Sequence, residues 1–308
     1  MNWQTVGSHV SALGESPFWH PQEQRLYWVD IPGRKLLRSD VGSGLVQEWP
    51  MVEPHALEPG CIAPAADGGL VLALRDGIYR GRTWGGAFDL LQRFGHDPAT
   101  TRFNDGKADP LGRFWAGTMY EPRDQAWAEL YALDCRDGRA PVARRMAGNA
   151  TIANGLAWSP DARTLYWSDT AAHVIWAWDW DAQANTLQRQ RVLHQFPPKP
   201  ADWHSGMPGY GGRPDGAAVD VQGNYWVAMF EGARLLKLSP GGELLAELAL
   251  PAQCPTMPCF GGADLKTLFV TSASYRRSAQ ELASYPQSGC VFHTRVDVPG
   301  LPVNFFRD

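Results

Sequence analysis

Four oxygen-bearing side chains, Glu15, Asn104, Asn154 and Asp215, stand at corresponding places in a segment that recurs along this 308-residue chain. Cys61 or its neighbour and Met257 hold the same place in two further copies. Carboxylates and amide carbonyls gathered at one point would repel or remain unsatisfied unless a cation neutralised them. A hard divalent metal with oxygen ligands meets that need. The eight histidines are scattered without metal-ligand spacing, so a histidine-type zinc site is not expected. Close in sequence to these positions lie Arg102 and, at 121, another carboxylate, Glu121. Singly, Arg102 reads equally well as a surface charge and Glu121 as a loop residue. Together with Asn104 they describe a polar pocket suited to a small polyhydroxylated ligand. No serine sits in a Gly-x-Ser-x-Gly context, which gives a serine hydrolase no support.

The elements that must position these residues are legible in the repeat. Glu15-Ser-Pro-Phe-Trp-His-Pro-Gln-Glu-Gln-Arg-Leu-Tyr-Trp-Val-Asp30 aligns without a gap on Asn154-Gly-Leu-Ala-Trp-Ser-Pro-Asp-Ala-Arg-Thr-Leu-Tyr-Trp-Ser-Asp169. Shorter versions begin at Asn104 and Asp215, and weaker ones at Ile62 and Gly261. Each unit is an apolar run, a turn carrying Pro, Asp or Gly, and an alternating aromatic and aliphatic run, the pattern of an antiparallel hairpin. A second hairpin is marked by residues 35–40, 174–178 and 234–238. Four strands in roughly forty to fifty residues is the signature of a propeller blade.

Six units therefore predict an all-β, six-bladed β-propeller of four-stranded antiparallel blades, forming one domain over residues 1–308. Residues 2–11 are long enough for one strand and are expected to complete the last blade, so that the ring closes and no sheet edge is left bare. Starts near 15, 60, 104, 154, 215 and 257 leave steps of about 45, 44, 50, 61 and 42 residues, which places an insertion in the fourth unit. It falls at residues 197–213, rich in Gly and Pro, and reads as a loop over one mouth of the ring. Because the innermost strand of every blade lines the channel, residues opening these strands would face one another near a single mouth. Asn154-Gly155 alone would be an ordinary hairpin turn. Its register with Glu15, a residue that turn chemistry does not favour, argues for a shared inward site.

Composition narrows the partners. Fourteen Trp, 32 Gly and 24 Pro suit many short strands with bulky residues between stacked sheets, and 19% charged residues is low for a long helical protein. A net charge of −4 offers no basic stripe, so nucleic acid is not an expected partner. The first residues lack a cationic region followed by a long apolar run, and no eighteen-residue apolar stretch occurs, so a cytoplasmic protein without a membrane partner is expected. Cys61, Cys135, Cys254, Cys259 and Cys290 are odd in number and lack paired spacing, which predicts free thiols.

Several motifs in order along the chain, Leu13-Gly-Glu-Ser-Pro-Phe-Trp19, Arg102-Phe-Asn-Asp-Gly-Lys-Ala-Asp109, Arg113-Phe-Trp-Ala-Gly-Thr-Met119, Asn154-Gly-Leu-Ala-Trp-Ser159, Pro214-Asp-Gly216 and Cys259-Phe-Gly-Gly262, resemble those of the gluconolactonase and senescence-marker-protein-30 (regucalcin) family. The resemblance spans essentially the whole chain. It implies that Glu15, Asn154 and Asp215 are metal ligands, that Asp215 is also the general base, and that Arg102, Asn104 and Glu121 bind substrate. Ser16 departs from the family's usual Gly after the ligand Glu. The Gly-rich insertion before Asp215 and residues 271–292 look more like bacterial sugar-acid lactonases. The implied activity is hydrolysis of a sugar-acid lactone such as gluconolactone, xylonolactone, arabinonolactone or galactonolactone, with one divalent cation: calcium, manganese, iron(II), magnesium or zinc. Two rival readings use the same scaffold: a phosphotriesterase or aryl esterase, which would need an apolar cleft, and a non-catalytic calcium-binding propeller.

Overall fold

The computed structural model describes residues 2–52 and 58–308. Along them run six four-stranded antiparallel sheets, the six-bladed propeller that the repeats predict. The innermost strands are Gly14–His20, Cys61–Pro64, Thr101–Ala108, Ala153–Trp158, Arg213–Val219 and Pro255–Gly261. Each contacts the innermost strand of the next blade, and the last contacts the first. The sixth blade takes three strands from residues 255–295 and its outermost from the N-terminus, where Gln4–Thr5 pairs with Phe292–Arg295. The ring is therefore closed by the two ends of the chain, as expected.

Six clusters of buried apolar side chains make up the core, one at each junction between neighbouring blades. The alternation of the second strand explains this: successive side chains point to opposite faces, so one strand serves two junctions. Tyr27 packs toward the second blade and Trp28 toward the sixth; Tyr166 packs toward the fifth and Trp167 toward the third. In the third and fifth blades the similar dipeptides Phe114-Trp115 and Tyr225-Trp226 face the other way round. Lys107 pairs with Trp115 where Phe18 pairs with Tyr27, and this one-residue difference in hairpin length exchanges the faces. Asp109 and Asp220 close the two shorter turns. Each accepts hydrogen bonds from the backbone N–H groups two and four residues on and from the indole six residues on.

The two ends of the channel differ. Residues 300–308 cross one end: Leu301 N–H donates to Val219, Phe306 N–H to Pro64 and Arg307 N–H to Gly112. Phe306 is fully buried among side chains of the second and third blades. A cavity of about 320 Å3 lies on the axis here, lined by Trp19, Lys107, Trp158, Phe260 and the tail residues 301–304 among others. The opposite end, where the innermost strands begin, carries the long connection from Gln195 to Arg213 that the sequence marks as an insertion. A one-and-a-half-turn helix, Ala279–Ser284, sits beside it, capped by the Ser278 hydroxyl accepting from Glu281 N–H at 3.1 Å. All five cysteines are buried and unpaired with one another. Among the described residues no helix is long and apolar enough to cross a membrane.

Ser16, the departure noted in the sequence, has φ +51°, a left-handed conformation in which a side chain is strained. Its hydroxyl compensates by bridging the first two blades, accepting from Ile62 N–H at 2.9 Å and donating to Ile62 C=O at 3.2 Å. Ser16→Ala keeps the strain and orphans a buried N–H, so a loss of about 1–3 kcal/mol is expected in denaturant titrations. Ser16→Gly relieves the strain and should lose about 1 kcal/mol less than Ser16→Ala. Equal midpoints for the two variants would show that backbone conformation contributes nothing here.

Candidate functional site

Local backbone irregularity presents the polar residues to the axis. The first and second strands of a blade shift register between Glu15 and Phe18, Phe103 and Gly106, Asn154 and Ala157, Pro214 and Ala217, and Pro255 and Pro258. Each shift is a bulge at or beside the position singled out in the repeat, and a bulge turns a side chain away from its regular direction. The innermost strand of the second blade, where Cys61 holds the place, pairs without a shift. Close approach demands glycine at two of these bulges. A Cβ on Gly155, at φ +63°, would lie 2.2 Å from the Tyr225 hydroxyl, and one on Gly216 would lie 2.4 Å from Met257 Cβ.

Glu15, Arg102, Asn104, Asn154 and Asp215 are all buried toward the end of the channel opposite the C-terminal tail, and Asp105 lies buried among them. Burial pushes the Glu15 carboxyl well above the usual carboxylate range, and the charges of Asp215 and Asp105 push it further. Asp215 is raised likewise, by burial first and then by Asp105, with Arg213 opposing. Among the described residues neither carboxylate receives a hydrogen bond from a side chain; the backbone N–H groups of Ser16 and Gly216 and the charges of Arg102 and, at Asp215, Arg213 offset the penalty only in part. Asp105 Oδ2 accepts from Leu156 N–H at 2.9 Å, whereas its Oδ1 is buried with no hydrogen-bond partner.

Asn154 is held by both ends. Its amide nitrogen donates to Thr170 Oγ1 at 2.8 Å, and Thr170 donates on to the Pro214 carbonyl at 2.7 Å. Its Oδ1 accepts from Asn104 Nδ2 at 2.9 Å, leaving one lone pair. Asn104 also donates to Ala153 C=O at 2.9 Å and accepts from Arg102 Nη1 at 2.8 Å, so both its N–H groups are committed to the protein. That arrangement suits Asn104 to orienting Asn154 and Arg102. Glu121 stands just past the second strand of the third blade and takes hydrogen bonds from both Arg75 Nη atoms, at 2.8 and 3.2 Å, with Arg102 Nε 3.7 Å away. Partial burial raises its carboxyl, but the bonds and charge of Arg75, then Arg102, hold it below its ordinary value.

The six residues named from the sequence thus lie at one mouth. Sequence reasoning missed Arg75, which reaches Glu121 from the second blade and is itself paired with Glu58. It also missed the buried Asp105 and the half-buried Lys107, present in the quoted motif but given no role, and a group of basic residues on the rim. Arg75 carries no repeat signature that could have marked it. Among the described residues no three His, Cys, Asp or Glu side chains form a metal-binding group; the set Glu15, Asn154 and Asp215 contains two carboxylates and an amide. Its oxygens are hard donors, its carboxylates lack donors of their own, and a dication there would offset the repulsion that raises them. On these grounds the residues fit one divalent cation.

Comparison with known proteins agrees with this architecture. The family described as "SMP-30/Gluconolactonase/LRE-like region" matches residues 13–274. A 6-deoxy-6-sulfogluconolactonase of Pseudomonas putida is 45% identical over 299 residues, covering 96% of this chain and 95% of that protein. Regucalcin of Danio rerio is 36% identical over 310 residues, covering 97% and 96%. In fold, the chain is similar to a calcium-binding protein, regucalcin, from Agrobacterium tumefaciens, with a TM-score of 0.87 at 24% identity over 99% of this chain and 97% of that one.

Proposed function

The chain belongs to the SMP-30/gluconolactonase/LRE-like family, and from that premise we propose that it is a hydrolase opening a sugar-acid lactone to the aldonic acid. The observation that carries this reading is the set of Glu15, Asn154 and Asp215 at one mouth of the channel, two under-compensated carboxylates beside an oriented amide oxygen. The lactone named in the 45% identical relative, a gluconolactone derivative, is of the same chemical class.

Glu15, Asn154 and Asp215 would hold the cation. When bound, a divalent ion such as calcium, manganese, iron(II), magnesium or zinc polarises an ester carbonyl and acidifies water. Asp215 takes the proton of the attacking water as it adds to the lactone carbonyl. The same proton then passes to the ring oxygen as the ester C–O bond breaks, so that water is consumed and a hydroxy acid is released. Arg102 and Glu121 orient the sugar hydroxyls, and Arg75 fixes Glu121 from the second blade. Asn104 keeps Asn154 and Arg102 in register.

The test is a panel of aldonolactones and an aryl ester, assayed after chelation and with each metal restored. Chelator-sensitive opening of at least one lactone supports the reading; activity confined to the aryl ester, or to no substrate, overturns it. The pH dependence of cation binding can be checked in the same samples. An acid whose pKa is raised in the folded state contributes stability that is present below its unfolded pKa and is lost as pH rises through the folded value. Cation-free protein should therefore lose stability above the ordinary carboxylate range through the raised values of Glu15 and Asp215. Protons and cation compete for these groups, so adding the metal should raise Tm more at pH 8 than at pH 5. A shift independent of pH would mean that the ion binds elsewhere.

A further inference from the structure

Basic side chains on the rim of this mouth outnumber the acids that could neutralise them. Lys199 Nζ, Arg213 Nη2 and Arg277 Nη2 converge on Glu231, at 2.9, 3.5 and 3.2 Å from its carboxylate oxygens. Glu231 is itself buried, and Arg277 is further paired with Glu281 at 2.7 Å. Arg123 and Arg276 approach the same group from the third and sixth blades, yet among the described residues neither makes an ion pair with a carboxylate. Arg213 Nε is buried with no hydrogen-bond partner. Three acids, Glu231, Glu281 and the Arg75-bonded Glu121, thus face five cations.

The placement ties these cations to the catalytic mouth. Arg213 opens the innermost strand of the fifth blade, two residues before Asp215. Arg123 lies two residues beyond Glu121, and Arg276 follows the strand Thr267–Ser272 that ends at this mouth. Aromatic faces hold the guanidiniums without consuming their N–H groups: Arg213 lies 5.2 Å over Phe230 and Arg276 5.0 Å over Tyr275. Their proximity has a cost, because burial lowers the Arg123 pKa and the charges of Arg213 and Arg276 lower it again. Like charges gathered beside a ligand site, with donors left unpaired, are complementary to an anion.

Resting on the lactonase reading above, we propose that the preferred lactone carries a tetrahedral oxyanion, a sulfonate or a phosphate ester, at the end of the sugar remote from the carbonyl, and that Arg123, Arg213 and Arg276 recognise it. Planar guanidinium forks match two oxygens of such a group at once, which separates it from a neutral hydroxymethyl. Glu231 holds Arg213 and Arg277 in position from beneath, and Lys199 places the inserted loop beside them.

The experiment compares gluconolactone, 6-deoxy-6-sulfogluconolactone and 6-phosphogluconolactone as substrates for the wild type, Arg123→Ala, Arg276→Ala and the double variant. The readout is the ratio of kcat/KM for each anionic lactone to that for the neutral one. The wild-type ratio should exceed unity for one oxyanion, identifying sulfonate or phosphate, and should fall about 10- to 100-fold in the double variant. A wild-type ratio of one or less for both anions, or a ratio unchanged by the substitutions, overturns the proposal. Calorimetric binding of 6-deoxy-6-sulfogluconate, 6-phosphogluconate and gluconate separates this from failure of the lactonase reading. If no lactone is opened but one of the six-position anions binds at least tenfold more tightly than gluconate, and the double variant abolishes the difference, the arginine site stands. Equal binding of all three acids sinks it regardless of turnover.

Discussion

Asp215→Asn is expected to lower kcat/KM for lactone opening by about 10²–10⁴-fold, the usual contribution of a positioned acid–base group. The substitution keeps the shape of the side chain while removing its negative charge and its capacity to take a proton. Metal content measured on the same protein should fall, because in the proposed site Asp215 supplies one of two charged oxygen ligands. Stability is expected to move the other way. Burial and the charge of Asp105 disfavour ionised Asp215, and Asp215 in turn raises Glu15, so the cation-free variant should melt no lower than the cation-free wild type. This opposition of activity and stability is characteristic of a site whose charges are assembled for function. A variant that keeps more than a third of wild-type kcat/KM would remove Asp215 from proton transfer.

Asp109→Ala should produce the largest loss of stability away from the site. Asp109 is fully buried and accepts from Leu111 N–H at 2.8 Å, Arg113 N–H at 3.0 Å, Arg113 Nη1 at 3.0 Å and Trp115 Nε1 at 2.9 Å. Truncation leaves a buried guanidinium, an indole and a tight turn without their common acceptor. Breaking a buried pair from one side costs about 3–5 kcal/mol, which for a chain of this size is a fall in Tm of roughly 10 °C. The equivalent Asp220 is held by Asn224, Trp226 and, at 3.3 Å, Lys237. Asp220→Ala should therefore act in the same direction, and the two losses should add, since they lie in different blades. A drop below about 1 kcal/mol in Asp109→Ala, measured by urea unfolding, would show that the turns hold their shape without the acid.

The propeller was legible because each blade must solve the same packing problem with the same short pattern, and the gap-free match of residues 15–30 to 154–169 exposes that repetition. Closure by the N-terminal strand was legible too, from a leftover strand-length segment and the need to cover an edge. The convergence of Glu15, Asn104, Asn154 and Asp215 followed from their common register. Less visible was the division of labour among them. Asn104 looked like a ligand-facing amide, yet its donors are spent on Ala153 and Asn154, because residues fifty positions apart meet only after two blades pack side by side.

Local pattern and periodicity by themselves determined the blade, the number of blades and the axial register of the polar residues, since these depend on alternation and turn chemistry within about fifteen residues. Only the tertiary structure decided which end of the channel the C-terminal residues cross, because residues 300–308 are held there by backbone hydrogen bonds that have no sequence signature. It also decided the charge environment. Arg75 reaching Glu121, Asp105 raising Glu15 and Asp215, and arginines from three blades meeting on one rim are consequences of loops brought together by ring closure, and electrostatic interaction follows distance in space, not separation along the chain.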